Sequence, residues 1–131
     1  MNKFLTAILL VLACSVAHGK GVSELQCLTT ALYRECSGCS QRGTKAILEV
    51  IENRMRIDKK TACQVIRSSA FPWSKKQRNW RFTEEQLTAY FELRKMSPVV
   101  GKMVYFFNNT KFKTFGRYCC KIEDHYFYYK V

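Results

Sequence analysis

Apolar residues recur at helical spacing along most of this chain and give way, past Pro98, to runs of aromatics. Leu25, Leu28 and Leu32 fall on one face and predict a helix over about 24–35. Ser23 with Gln26 three residues on has the form of a capping box, and Gly38 ends the segment. Ala46, Ile47, Val50, Ile51 and Met55 make an apolar stripe that predicts a second helix over about 44–56. Lys45, Glu49, Glu52 and Arg56 lie off that stripe, on the expected solvent face, with Glu52 and Arg56 spaced for a surface ion pair.

A short helical piece, Cys63 to Arg67, follows, and then a loop-like stretch from Ser68 to Phe82 around Pro72. Thr83 and Gln86 repeat the capping signal. Leu87, Tyr90 and Phe91 supply the inner face of a helix that Pro98 and Gly101 stop. Met103–Phe107 and Lys121–Tyr129 read either as short strands or as aromatic segments laid over the core. The expected fold is mainly α, of the α+β class, in one domain with a short aromatic-rich C-terminal part.

The first residues stand apart. Met1-Asn2-Lys3 is a short positive start, and Phe4 to Cys14 is an apolar run of signal-peptide length, too short to span a bilayer comfortably. Small residues at Ser15-Val16-Ala17 and Ala17-His18-Gly19 offer cleavage sites, so residues 1–19 are expected to be a cleaved leader and 20–131 the domain. Val11-Leu12-Ala13-Cys14 also reads as a lipoprotein box, with Cys14 as the lipidated residue; without it no membrane anchor is expected. Either route takes the chain out of the cytoplasm, to the periplasm, envelope or exterior.

Export changes the meaning of the cysteines. Apart from Cys14 there are six: Cys27, Cys36, Cys39, Cys63, Cys119 and Cys120. An even set in an exported chain points to disulfides, whose pairing spacing alone leaves open. Adjacent Cys119 and Cys120 are awkward partners for each other, and each is expected to reach back to the first half of the chain. A metal site from Cys36-x-x-Cys39 with that adjacent pair has poor spacing for tetrahedral zinc, so no metal is expected.

Charge bears on partners. Lys and Arg number 22 against 10 Asp and Glu, a formal net charge of +12. Such an excess favours a polyanionic target: nucleic acid, anionic membrane or cell wall. No arginine-rich block or RNA-binding signature singles out nucleic acid.

The usual catalytic signatures are few. There is no phosphate-cradling glycine loop, metal-binding His pair or nucleophile elbow. A Cys–His pair with His125 as base competes with disulfide formation. The carboxylates remain, and most lie at helix starts or on polar faces. Glu35 differs: it sits where the first helix stops, beside Leu32, Tyr33 and Cys36, with no basic residue one turn upstream. A partly desolvated carboxyl in that place suits a general acid.

Residues Tyr33 to Gly43, YRECSGCSQRG, resemble the Y-H-E-A-R-G-E-S-x-x-G signature of the SleB-type cell-wall hydrolases, the spore-cortex-lytic enzymes and their phage-borne relatives. The likeness runs on in register. Ala46 to Arg54 resembles that family's A-V-A-x-V-v-x-N-R helix, Ala62 to Ile66 its V-C-x-V-V, and Phe71-Pro72-Trp73 its F-S-W. A looser similarity covers Tyr105 to Asn108 and Ile122, His125 and Phe127. Three signature positions depart: Arg34 stands for His, Ser37 for Arg and Cys39 for the second Glu.

The resemblance implies a lysozyme-like domain that cuts peptidoglycan glycan strands without a cofactor, with Glu35 as the catalytic acid. One strong carboxylate, with Glu49 and Glu52 read as surface residues, suits a lytic transglycosylase better than a two-carboxylate hydrolase. Trp73, Tyr105, Asn108 and Asn53 become candidates for the sugar groove or its supports. The resemblance also implies a Cys27–Cys63 bridge; Cys36 and Cys39 would then tie to Cys119 and Cys120. A monomer acting on the anionic wall is expected, rather than on nucleic acid. The alternatives are an inactive wall-binding protein of the same fold and a cationic, membrane-active effector.

Overall fold

Three capping boxes set where the helices of this chain begin. The computed structural model describes residues 22–68, 71–111 and 116–130. The leader, with Cys14 and His18, lies outside the described residues. Helix α1, Glu24–Cys36, starts at Ser23, whose hydroxyl accepts from the Gln26 backbone N–H at 3.1 Å while Gln26 accepts from the Ser23 N–H at 2.8 Å. Helix α2, Gln41–Asp58, is capped by Ser40 and closes with Lys59 in the left-handed region, φ 53°. Helix α3, Ala62–Ile66, and helix α4, Glu84–Lys95, start with the same reciprocal box at Thr61 and Thr83. Each box satisfies two backbone N–H groups that the helix cannot satisfy itself. One turn of 3₁₀ helix, Pro72–Lys75, interrupts the loop between α3 and α4.

The C-terminal part is a sheet. Strands β1 (Val104–Asn108), β2 (Arg117–Ile122) and β3 (His125–Tyr129) pair antiparallel in the order β1-β3-β2. The aromatic segment 121–129 is therefore not one strand. It turns at Glu123, φ 52°, so that Ile122 pairs with His125. The class is mixed α+β.

Helix α2 is the centre of the core. Ala46, Ile47, Leu48, Val50 and Ile51 are fully buried, each large one worth about 1.5–3 kcal/mol of burial. Helices α1 and α3 and strand β1 pack around it. A disulfide joins Cys27 on α1 to Cys63 on α3. From the sheet, Val104 and Phe127 point into the same core, and Phe107 meets Phe71 with ring centroids 5.9 Å apart.

Two expectations for α2 fail for one reason: helix α4 and the loop after it fold over its polar side. Glu49 is 8% exposed and accepts backbone N–H bonds from Val99 at 2.9–3.0 Å, Val100 at 3.3 Å and Gly101 at 3.4 Å. It is a buried clamp, not a surface acid. Glu52 pairs with Arg94 of α4 at 2.6 Å, and Arg56 donates to Asn53 Oδ1 and to the Lys102 carbonyl, so the Glu52–Arg56 pair does not form.

Candidate functional site

Helix α1 ends at Cys36, and the chain must reverse within four residues to start α2. Cys39 N–H donates to the Cys36 carbonyl at 3.1 Å, and the two side chains close a disulfide with Cα atoms 4.9 Å apart. This corrects the expected tie from Cys36 and Cys39 to Cys119 and Cys120. The tight reversal brings Cys36 and Cys39 within bonding reach of each other first, leaving Cys119 and Cys120 as thiols on β2. Burial pushes the Cys120 thiol up to about 12, with the Cys119 side chain adding to the effect and Arg42 opposing it.

The new helix is fastened from the far end of the chain. Ser40 caps α2 by accepting from Gly43 N–H at 3.3 Å, while Ser40 N–H donates to Glu123 Oε1 at 2.8 Å. That bonding to Ser40 holds the Glu123 carboxyl below its ordinary range, with His125 adding a smaller pull. Gly43 leaves room for that carboxylate: a Cβ would stand 2.7 Å from Glu123 Oε2, so a larger residue displaces the Glu123 tip.

Glu35, on the last turn of α1, is half-buried beside this junction. Trp73 Nε1–H donates to Glu35 Oε1 at 2.8 Å. The indole is itself confined, edge-on to Phe71 at 6.1 Å, tilted against Trp80 at 6.0 Å, and covered by the Arg34 guanidinium at 5.5 Å. One carboxyl oxygen is thereby oriented by a group with little freedom to move.

Glu35 opens onto a cavity of about 660 Å³ walled by the Cys36–Cys39 loop and by Asn109, Lys121, Glu123, Asp124 and His125. A smaller, more apolar hollow of about 240 Å³ shares Cys36, Ser37 and Cys39 with it. A third concavity, about 500 Å³, shares Tyr33 with the second and runs past Arg34, Gln77 and Arg81. Sharing residues from one to the next, the three ring the C-terminal end of α1 as the separate segments of a trough, and Glu35 lines the first of them.

The predicted residues divide into two groups. Glu35 and Trp73 meet, and Asn108 lies one residue from the cavity wall, its Oδ1 accepting from the Thr110 N–H at 3.1 Å. Asn53 and Tyr105 belong elsewhere. Asn53 Nδ2 donates to the carbonyls of Gly101 and Val104, both at 2.8 Å, and Tyr105 donates to Asp58 Oδ2 under the cations of Arg54 and Lys130. Asp58 is the last residue of α2, about 25 Å along the axis from the end nearest Glu35. Both residues support the fold rather than the trough.

Sequence reasoning passed over Lys121, Glu123, Asp124 and Asn109. A signal existed in the acidic pair that interrupts the aromatic tail, since charged residues there mark a turn. No family model matches this chain, and no curated protein or solved structure shows a significant match to it.

Proposed function

We propose that this chain is an exported peptidoglycan lytic transglycosylase of lysozyme-like fold, similar to the SleB-type enzymes, with Glu35 as acid and then base. The observation that carries the reading is the Glu35–Trp73 hydrogen bond at the wall of the trough. It joins the two separate motifs, 38 residues apart, on which the resemblance to that family rests most firmly.

The chemistry follows from the geometry. With Oε1 accepting from the indole, Oε2 is the oxygen left to carry the proton. Protonated Glu35 gives that proton to the glycosidic oxygen as the C1–O bond breaks. The resulting carboxylate then takes the proton of the muramoyl 6-hydroxyl, whose oxygen bonds to C1 and closes a 1,6-anhydro ring. No water is consumed, and Glu35 ends protonated. Tyr33, Arg34 and Arg81 along the trough provide an apolar face and cations for a sugar chain bearing carboxylates. The net charge of +12 supports attachment to an anionic wall, an attraction that salt weakens.

One observation favours hydrolysis as a second reading: Glu123 and Asp124 line the same cavity as Glu35. Glu123 is committed to Ser40, so Asp124 is the carboxylate available to activate a water. Digestion of purified peptidoglycan with the oxidised protein, beside a Glu35→Gln control, tests both. Anhydro-muropeptides in the mass spectrum support the transglycosylase, and reducing ends support the hydrolase. Binding without either product leaves a wall-binding protein, and leakage of anionic vesicles without wall cleavage leaves the membrane-active effector.

A further inference from the structure

The disulfide beside Glu35 has a third neighbour. Cys36 Sγ, Cys39 Sγ and a ring nitrogen of His125 all lie within 4.8 Å of one another. Cys36 and His125 are buried, 5% and 6% exposed, and Cys39 is partly so. The imidazole is steered by its packing, edge-on to Phe107 at 5.4 Å and tilted on Phe127 at 6.5 Å.

We infer that these three side chains form a redox-gated site for a thiophilic divalent cation, Zn²⁺ being the best fit. Two sulfurs and an imidazole suit Zn²⁺, and Cys-x-x-Cys is the spacing that structural zinc sites use. Tetrahedral coordination separates two thiolates by about 3.7 Å and brings each to about 3.5 Å from the imidazole nitrogen. The fourth position faces the 660 Å³ cavity and is left for water or an anion.

The gate is the Cys36–Cys39 bond. A phosphine or dithiol supplies two electrons, the S–S bond breaks, and each sulfur takes one proton. Metal binding then releases both protons as the thiolates coordinate. While oxidised, the sulfurs are bonded to each other and are poor ligands. Each disulfide pairs one buried and one half-buried cysteine, so exposure does not rank them, and the reducing conditions used are those that open Cys36–Cys39 while Cys27–Cys63 stays closed.

The inference is independent of wall cleavage and is tested by Co²⁺ titration of the whole protein after mild phosphine reduction. Mass spectrometry establishes that Cys27–Cys63 remains closed, and circular dichroism that the helices persist. Expected are a thiolate-to-cobalt charge-transfer band and tetrahedral visible bands at one ion per chain, displaced by Zn²⁺, and neither band in the oxidised protein. A Cys119→Ser/Cys120→Ser double variant retains the signal. Cys39→Ser abolishes the charge-transfer intensity of one thiolate, and His125→Ala weakens affinity about tenfold or more. Bands that vanish with Cys119 and Cys120 instead, the absence of bands in a folded reduced protein, or helix loss on reduction that metal does not reverse would each overturn it.

Discussion

Trp73 and Glu35 come from different elements and meet through one hydrogen bond of 2.8 Å, indole to carboxyl. Trp73→Phe retains the ring against Phe71 and Trp80 and removes the donor. On peptidoglycan this variant should turn over more slowly, by up to about a hundredfold, with KM little changed and Tm close to that of the parent. Glu35→Gln should cost more, about a hundred- to ten-thousandfold. Steady-state kinetics beside thermal melts check both; equal KM and kcat losses for Trp73→Phe would argue for a substrate contact instead.

Glu49 and Glu52 are three residues apart on α2 and should respond very differently to removal. Glu49→Ala strips the buried acceptor from the backbone N–H groups of Val99, Val100 and Gly101. A loss of about 2–4 kcal/mol is expected. Glu52→Ala breaks only the exposed pair with Arg94 and should cost less than about 1 kcal/mol. Urea midpoints at constant m-value measure the contrast.

The Tyr105–Asp58 pair predicts stability that falls at both ends of the pH scale. The Tyr105 hydroxyl, and then Lys130, Arg54 and Lys60, hold the Asp58 carboxyl below its ordinary value, although burial opposes them. A depressed carboxyl contributes stability above the unfolded-state value, and that stability is lost as pH drops below about 4. Burial, followed by the hydrogen bond to Asp58, raises the Tyr105 phenol, so its share is present below about pH 10 and lost above it. Tyr105→Phe should cost about 1–2 kcal/mol at neutral pH and flatten both flanks in denaturation curves taken across pH.

Partial burial, with the neighbouring Cys119 side chain, pushes the Cys120 thiol up to about 12 and disfavours its thiolate. Iodoacetamide at mildly alkaline pH should leave Cys120 unmodified in the folded protein and label it readily in denaturant. Peptide mapping reads this directly. Rapid labelling in the native state would contradict the half-buried placement on β2.

Gly43→Ala should displace a carboxylate rather than unfold a helix. The new methyl would stand where Glu123 Oε2 now lies, and a glutamate tip moves easily. With its bond to Ser40 lost, the Glu123 carboxyl should titrate higher, toward its ordinary range. Carboxyl chemical shifts followed against pH report the change.

How much of this was legible beforehand depended on the range over which each signal acts. Capping at Ser23 and Thr83 is written within four residues, and both boxes form as the sequence predicts. The stripe of α2 marks Ile47, Val50 and Ile51 as core, which they are. Periodicity could not reveal Glu49, because what buries it is a loop 50 residues away in the chain. The same limit hid the Ser40–Glu123 bond, 83 residues apart. Glu35 and Trp73 both stand out in the sequence, but the hydrogen bond between them is a product of tertiary folding. For Tyr105 the sequence leaves sugar groove and core both open, because an aromatic in a strand looks alike whether it faces a sugar or an aspartate.

The Cys27–Cys63 bridge encloses all of α2 in a loop whose ends are 36 residues apart. Closing such a loop restricts the denatured chain by about 4 kcal/mol, a large fraction of the ~5–15 kcal/mol on which a small protein survives. Before the bridge forms, newly made polypeptide is only marginally committed to its architecture. Oxidation then acts as a ratchet, so the timing of maturation is set by thiol chemistry rather than by synthesis.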